Sequence, residues 1–210
     1  MARGRLIVVE GLDASGKRTQ AEMLVRRLKA AGRRAHFVSF PAYGTPYGRL
    51  VKMYLLGEMG GREAVPPEAA AVLFALDRLQ FKDMIAKLLA DGIWVVADRY
   101  TQSNLYQAAR VPAKKRARFV TWLERLEEPM PRADKVVLLD VPVRASRLLL
   151  RKRGRKKDVN EKDVEYLEEV RRVYLSQARR RGCRIISCMD TEGRLRGKAD
   201  IAKEVWKAVA

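Results

Sequence analysis

Five short apolar runs punctuate the chain: Leu6-Ile7-Val8-Val9, Ala35-His36-Phe37-Val38-Ser39-Phe40, Ile93-Trp94-Val95-Val96-Ala97, Val136-Val137-Leu138-Leu139-Asp140 and Arg184-Ile185-Ile186-Ser187-Cys188. Each is too short for a helix and mostly lacks polar alternation, so each reads as a strand buried on both faces. Between them, apolar residues return at helical spacing. Ala21, Met23, Leu24 and Leu28 mark a helix after Gly16 that ends near residue 31, with Gly32 as its cap. Further helices are expected over 50–56, over 68–90 as one long helix closed by Asp91-Gly92, and after Asp98-Arg99 to about 109. Others run from Pro112 to 128, from Pro142 to about 153, over 162–180 and over 199–208. Residues 41–48 and 57–67 read as loops. Strict alternation of strand and helix predicts an α/β fold: one domain over 1–210, a five-stranded parallel sheet with helices on both faces.

Composition narrows the setting. With 210 residues, 48% of them hydrophobic, the chain can bury one substantial core. No apolar run approaches the ~20 residues that span a bilayer. The first residues lead straight into a strand, so a cytoplasmic protein without a signal peptide is expected. Cys183 and Cys188 are expected as buried thiols, and His36 as a packed or edge residue. The net charge of +19 has two readings: a protein that handles several phosphates and keeps a solvated basic surface, or one that binds nucleic acid. The charge is spread over many helices without interleaved aromatics, which favours the first.

The chemistry begins at Gly11-Leu12-Asp13-Ala14-Ser15-Gly16-Lys17. A glycine-rich turn between a buried strand and a helix start turns its N–H groups toward phosphate oxygens, at the positive end of a helix dipole. The lysine reaches the outer phosphates. In this motif Ser or Thr normally follows the lysine and ligates Mg²⁺. Here Arg18 stands there and Thr19 comes one residue later, rotated by about 100°. Either other groups hold the metal or Arg18 supplies part of the charge.

Asp98-Arg99-Tyr100 falls where the third strand ends, beside the phosphate loop. An aspartate there can hold Mg²⁺ and an arginine can clamp a phosphate. Phe74 and Arg78 share one helix face, which suits stacking on and hydrogen bonding to a nucleobase, while Asp77 reads as a surface charge. The run Arg151-Lys152-Arg153-Gly154-Arg155-Lys156-Lys157 carries six positive charges. In a phosphoryl transferase it would close as a basic lid, at about 151–160.

With these motifs in place, the sequence resembles the thymidylate kinases of the P-loop nucleoside monophosphate kinase group. Glu10 to Lys17 with Thr19-Gln20 is similar to that family's phosphate loop. Phe40-Pro41, Leu73-Phe74-Ala75 with Arg78, and Asp98-Arg99-Tyr100 with Ser103 resemble its other motifs. Asp140-Val141-Pro142 and Arg153-Gly154 followed by Glu161, Asp163 and Leu167 resemble its lid. The resemblance implies transfer of the ATP γ-phosphate to dTMP with Mg²⁺, in a homodimer that binds neither membrane nor nucleic acid. It implies that Gly11, Leu12, Asp13, Ala14, Ser15, Gly16, Lys17, Arg18 and Thr19 hold the donor phosphates, with Arg153 beside the adenine near Asp190-Thr191. On the acceptor side it implies Asp13 at the sugar, Arg99 at the phosphate, Phe74 stacked on thymine, and Arg78 and Asn104 at its edge. Pro41, Tyr43, Ser103 and Gln107 stand around these, and Tyr106 or Tyr100 lies under the deoxyribose. Asp98 is the metal position, and Arg151 and Arg155 are the lid cations assigned to the transition state.

Four departures from the family pattern stand out. Arg18 replaces the hydroxyl residue. Ala14 and Val159 occupy places where certain members carry an arginine, leaving Arg151, Arg155, Lys156 or Lys157 to supply that charge. Tyr106 follows Asp98 one residue sooner than is typical, which shifts it around its helix. No arginine follows Pro41, where Tyr43 stands instead. Two alternatives remain open at the level of sequence: a related kinase acting on dUMP, UMP or CMP, and a non-catalytic basic protein that binds nucleotides or nucleic acid.

Overall fold

A computed structural model describes residues 2–152 and 163–210. Five parallel strands form one sheet: β1 (Leu6–Gly11), β2 (Ala35–Ser39), β3 (Trp94–Asp98), β4 (Lys135–Asp140) and β5 (Arg184–Ser187), in the order β2-β3-β1-β4-β5. β1 is central and wholly buried. The two-residue period of a strand sends Ile7 and Val9 to one face and Leu6 and Val8 to the other. The first pair packs with Leu24 and Leu28 of α1 (Lys17–Ala30) and with Ile201 and Val205 of α9 (Lys198–Val209). The second pair packs with Ile85 and Leu89 of α4 (Lys82–Ala90). Leu138 of β4 meets α5 (Leu105–Ala108), α6 (Ala113–Leu126) and α8 (Val164–Arg180) on that second side. The expected α/β architecture is therefore present.

Register decides where the chemistry sits. Val9 pairs with Asp98, and Gly11 pairs with Leu139. The phosphate loop and the Asp98-Arg99 step thus leave adjacent strands at the same end of the sheet, where open α/β folds bind ligands.

Three boundaries differ from expectation. The single helix over 68–90 is two, α3 (Pro67–Leu79) and α4. The break carries neither glycine nor proline. Phe81 leaves helical geometry to pack edge-on against Phe40, at 5.4 Å between ring centroids. The Gln80 amide donates to the Asp77 carbonyl and to Thr45 Oγ1, both at 2.9 Å. The helix before them, α2 (Pro46–Leu56), starts at Pro46 rather than residue 50. Its Thr45 cap accepts from Gly48 N, and proline occupies the first turn. Finally, Thr101–Asn104 winds as a 3₁₀ turn before α5.

His36 is exposed on edge strand β2. Cys183 and Cys188 are free thiols, and burial pushes Cys188 up to about 12. No helix among the described residues is long and apolar enough to cross a membrane. Of the basic lid, α7 (Val143–Lys152) carries an exposed Arg151. Arg153, Arg155, Lys156, Lys157, Val159 and Glu161 lie outside the described residues.

Candidate functional site

The phosphate loop is shaped by backbone conformations that few residues adopt. Gly11 has φ +148°, and a Cβ there would stand 2.6 Å from the Leu139 carbonyl oxygen. Gly16 (φ +89°) precedes α1, and no side chain caps that helix. The amides of the first turn of α1 are therefore left for an anion. Ala14 (φ 58°) is left-handed without being glycine. Lys17 is buried, and its Nζ donates to the Leu12 carbonyl at 2.7 Å, folded back over its own loop. Burial and the nearby Arg99 lower its pKa to about 8. Ser146 of α7 fastens the loop from outside, its Oγ donating to the Asp13 carbonyl at 2.6 Å.

Asp13 faces Arg99. Its carboxylate is paired with the Arg99 guanidinium and accepts from Tyr106 Oη at 3.0 Å. Burial works against the charged carboxylate, but Arg99 and Lys17 outweigh it and hold Asp13 well below the usual range. Arg99 is itself left-handed (φ 68°), a conformation that costs a non-glycine residue of order 1–2 kcal/mol. The surroundings compel it. Arg99 N donates to Val9 O at 3.1 Å, and the next amide, Tyr100 N, donates to the Glu10 carboxylate at 2.8 Å. Glu10 is fully buried at the end of β1, and also accepts from Ser103 Oγ (3.0 Å) and Tyr174 Oη (3.1 Å). Desolvation raises its pKa. It fastens the chain just after the bend that aims Arg99 at Asp13.

The opposite wall is aromatic. Phe74 is half-buried and meets Tyr54 edge-on at 6.1 Å. Arg78, one turn on, is almost wholly buried and doubly bonded to the Glu127 carboxylate, with its Nε at 3.1 Å. Asp77 is not the surface charge expected from its position. It is 0% exposed, and its carboxylate accepts Ala42 N at 3.1–3.2 Å, tying α3 to the turn after Pro41. The Phe40–Pro41 bond is cis.

These walls enclose one cavity of about 300 Å³. Asp13, Ala14, Gly16, Lys17, Arg18, Pro41, Tyr43, Phe74, Arg78, Asp98, Arg99, Ser103 and Tyr106 line it, joined by Ser39, Phe40 and Leu55. Gly11, Leu12, Ser15 and Thr19 are not part of this lining. Asn104 and Gln107 are buried and do not line it either. Asn104 shares Glu127 with Arg78, while Gln107 accepts from Arg110 Nη1 at 3.0 Å. Tyr100 is a core residue whose Oη donates to Pro131 O, so of the two tyrosines expected near the sugar only Tyr106 faces the cavity.

Asp98 is 8% exposed at the cavity wall. Its Oδ2 accepts Ser39 Oγ at 3.3 Å, and its Oδ1 is buried without a partner. An orphaned carboxylate oxygen beside a phosphate loop fits a hard divalent cation that takes its other ligands from phosphate and water. Among the described residues no cluster of three or more His, Cys, Asp or Glu could hold a metal by itself.

The model of the thymidylate kinase family matches residues 9–194 of this chain. A probable thymidylate kinase of Pyrococcus horikoshii is 36% identical over 180 residues, covering 84% of this chain and 83% of that one. The thymidylate kinase of Mycobacterium tuberculosis is 34% identical over 182 residues, covering 82% and 85%. The chain belongs to the thymidylate kinase family. It is therefore a nucleoside monophosphate kinase with the P-loop kinase fold. The solved thymidylate kinase structure from Candida albicans shares that fold, with a TM-score of 0.75 at 24% identity over 99% of this chain and 91% of that one.

Within the thymidylate kinase pattern, two departures find a physical account. Tyr106 reaches the cavity despite its early position. A 3₁₀ turn advances about 20° more per residue than an α-helix, about 80° over four residues, which offsets most of a one-residue shift. Arg18, by contrast, is turned outward on the rim. Its side chain is 68% exposed and paired with Glu22 at 2.8 Å, and its guanidinium lies 5.8 Å from the Phe37 ring. Exposed pairs of this kind contribute little. We expect Arg18→Ala to change kcat by less than about threefold at saturating Mg²⁺, because so exposed a pair contributes little at the site. A tenfold loss in a steady-state assay would instead make Arg18 a working part of the site.

Glu10, Asp77, Glu127 and Ser146 were not visible as site residues in the sequence. Glu10 lies in the phosphate-loop motif, where a charged residue ending an apolar strand was the available signal. The other three had none, because each acts across more than 20 positions of sequence.

Proposed function

We propose that this protein transfers the γ-phosphate of ATP to dTMP, giving dTDP and ADP. What supports this reading is that phosphate loop and base wall open into one cavity, with Lys17 on one side, Phe74 and Arg78 on the other, and Asp13 and Arg99 between. The loop amides and Lys17 hold the donor phosphates, and Arg99 takes the acceptor phosphate. Asp13 and Tyr106 take the sugar, Phe74 stacks on thymine, and Arg78 reads its edge. Mg²⁺, held through Asp98, would neutralise charge on the transferring phosphoryl group. No strong base is required, since phosphoryl transfer proceeds mainly by positioning and charge neutralisation.

Arg151 marks the start of the lid, and Arg153 and Arg155 belong to the same basic run. We assign these cations to closing over the donor, with Arg153 at the adenine. The homodimer usual for the family finds apolar surface to bury in Leu50 and Met53 of α2 and Val72 and Leu79 of α3, all exposed. The reading places the protein in the cytoplasm, free of membrane and of nucleic acid.

ADP release measured across dTMP, dUMP, UMP and CMP tests the assignment: dTMP is expected to give the highest kcat/KM, and equal use of UMP would overturn it. Proton linkage offers a second test. A Lys17 with a pKa of about 8 is partly neutral at pH 8.5 in the free enzyme, and donor phosphates restore the ammonium. Binding of MgATP, whose phosphates are fully ionised at both pH values, is therefore expected to take up a fraction of a proton at pH 8.5 and almost none at pH 6.5. Calorimetry in two buffers of different ionisation heat reads the difference. Buffer-independent heats at pH 8.5 would remove Lys17 from the donor site.

A further inference from the structure

The left-handed Ala14 (φ 58°) has a relaxed alternative. Turning the Asp13–Ala14 peptide by half a rotation would bring that φ to about −120°, where any residue is at ease. Something therefore holds the peptide as it stands. Its carbonyl, Asp13 O, has one partner among the described residues: Ser146 Oγ of α7, which donates at 2.6 Å. Ser146 is 1% exposed, and its own N–H is already given to the Pro142 carbonyl at 3.0 Å. The preceding carbonyl, Leu12 O, is served from within the loop, by Ser15 N at 3.2 Å and Lys17 Nζ at 2.7 Å. Only the Asp13 carbonyl depends on a side chain from outside.

In a trans peptide the N–H points opposite to the C=O. With the carbonyl turned to α7, the Ala14 N–H is turned away from that helix. Ala14 is 6% exposed and lines the cavity, whereas no residue of α7 does. Among the described residues this N–H has no partner.

We propose that Ser146 sets the direction of the Asp13–Ala14 peptide, so that the Ala14 N–H is presented to the donor phosphates. Without the hydroxyl, the carbonyl is a buried acceptor with nothing to hold it, and the relaxed, flipped peptide would aim an oxygen where an anion belongs. Ser146 touches no substrate; it is a positioning residue. It stands on the helix that carries Arg151 toward the lid, so one hydroxyl also ties the root of the lid to the phosphate loop. The inference rests on the proposed donor site at this loop, and goes further in assigning the aim of one of its amides to a residue 133 positions away.

The test separates direction from general stability. In Ser146→Ala, affinity for ADP and kcat/KM for ATP are expected to fall at least about fivefold, the scale of one hydrogen bond. KM for dTMP should stay within about twofold, the pattern of a loss confined to the donor. In an Ala14→Gly background the left-handed form carries no penalty, so the same change should cost less. Wild-type donor affinity in a folded Ser146→Ala would overturn the proposal, as would equal loss toward dTMP or an undiminished loss in the Ala14→Gly background. Ser146→Cys fills the same place with only a weak donor, and decides in the same way should the alanine variant not fold.

The peptide can also be watched directly. Asp13-Ala14 is the only Asp-Ala pair in the chain. Carbonyl-¹³C aspartate combined with ¹⁵N alanine therefore gives one NMR correlation, from this peptide alone. ADP should move its amide proton downfield in the wild type, as the N–H gains a phosphate acceptor, and move it less in the Ser146 variant. A wild-type signal that stays in place while ADP binds, or an equal shift in the variant, would overturn the proposal. A wild type that binds no adenine nucleotide in calorimetry defeats the donor site itself, and this inference with it.

Discussion

Lys17→Ala is expected to lower kcat/KM at least about 10³-fold, because it removes a preorganised cation from the place where phosphoryl charge spreads. The same change should leave Tm where it was or raise it. The reason lies in the burial of the ammonium. Its pKa in the folded protein, about 8, lies below the ordinary 10.5, so the charged form is disfavoured by folding. The sign follows from proton binding. Between pH 8 and 10.5 the unfolded chain holds more protons than the folded one, so stability rises with pH through that window. Below pH 8 the cost of the charge is present in full, and alanine relieves it. The one bond forfeited is to the Leu12 carbonyl. Steady-state rates and a melting curve at pH 7 check both halves. A near-normal rate would take Lys17 out of the chemistry, and a large fall in Tm would refute the cost assigned to its burial.

Arg99→Ala should be the second large effect, with kcat/KM reduced about 10²–10³-fold, the scale of one preorganised charged donor. KM for dTMP should rise and KM for ATP should change little, because the proposed function assigns Arg99 to the acceptor phosphate. Stability should shift in a pH-dependent way. Asp13 is held below its ordinary pKa, so it contributes stability that is present above the unfolded value, near 4, and lost as pH falls through the folded value. Removing Arg99 removes most of that contribution. Acid unfolding should therefore begin at a higher pH in the variant, read by circular dichroism between pH 2 and 6. Identical acid midpoints would show that the Asp13–Arg99 pair does not stabilise the fold.

Much of the architecture was legible before any coordinates. The β1, β3 and β4 runs are apolar on both faces because helices cover both sides of the sheet, and that pattern needs no tertiary information. The phosphate loop was legible because its function depends on local backbone: glycines at the positive-φ positions, a lysine at the helix start. Asp98-Arg99 was legible from its place at the end of a strand. The break between α3 and α4 was not, since what unwinds the chain at Gln80-Phe81 is Phe40, a residue far away in sequence. Tyr106 faces the cavity although it stands one residue early, because a 3₁₀ turn precedes its helix, and that turn has no signal in the sequence.

By itself, then, the order of residues determined the alternation of strands and helices, the phosphate loop and the family likeness, because each rests on contacts between near neighbours or on a period along the chain. Only the tertiary structure decided which charges are working parts. It put Asp77 inside rather than at the surface, turned Arg18 outward, bound Arg78 and Asn104 to Glu127, and bent Arg99 toward Asp13 over a buried Glu10. Whether an ionic side chain is solvated or held depends on partners tens of residues away, and on how much water the packing between them excludes. No local pattern carries that information.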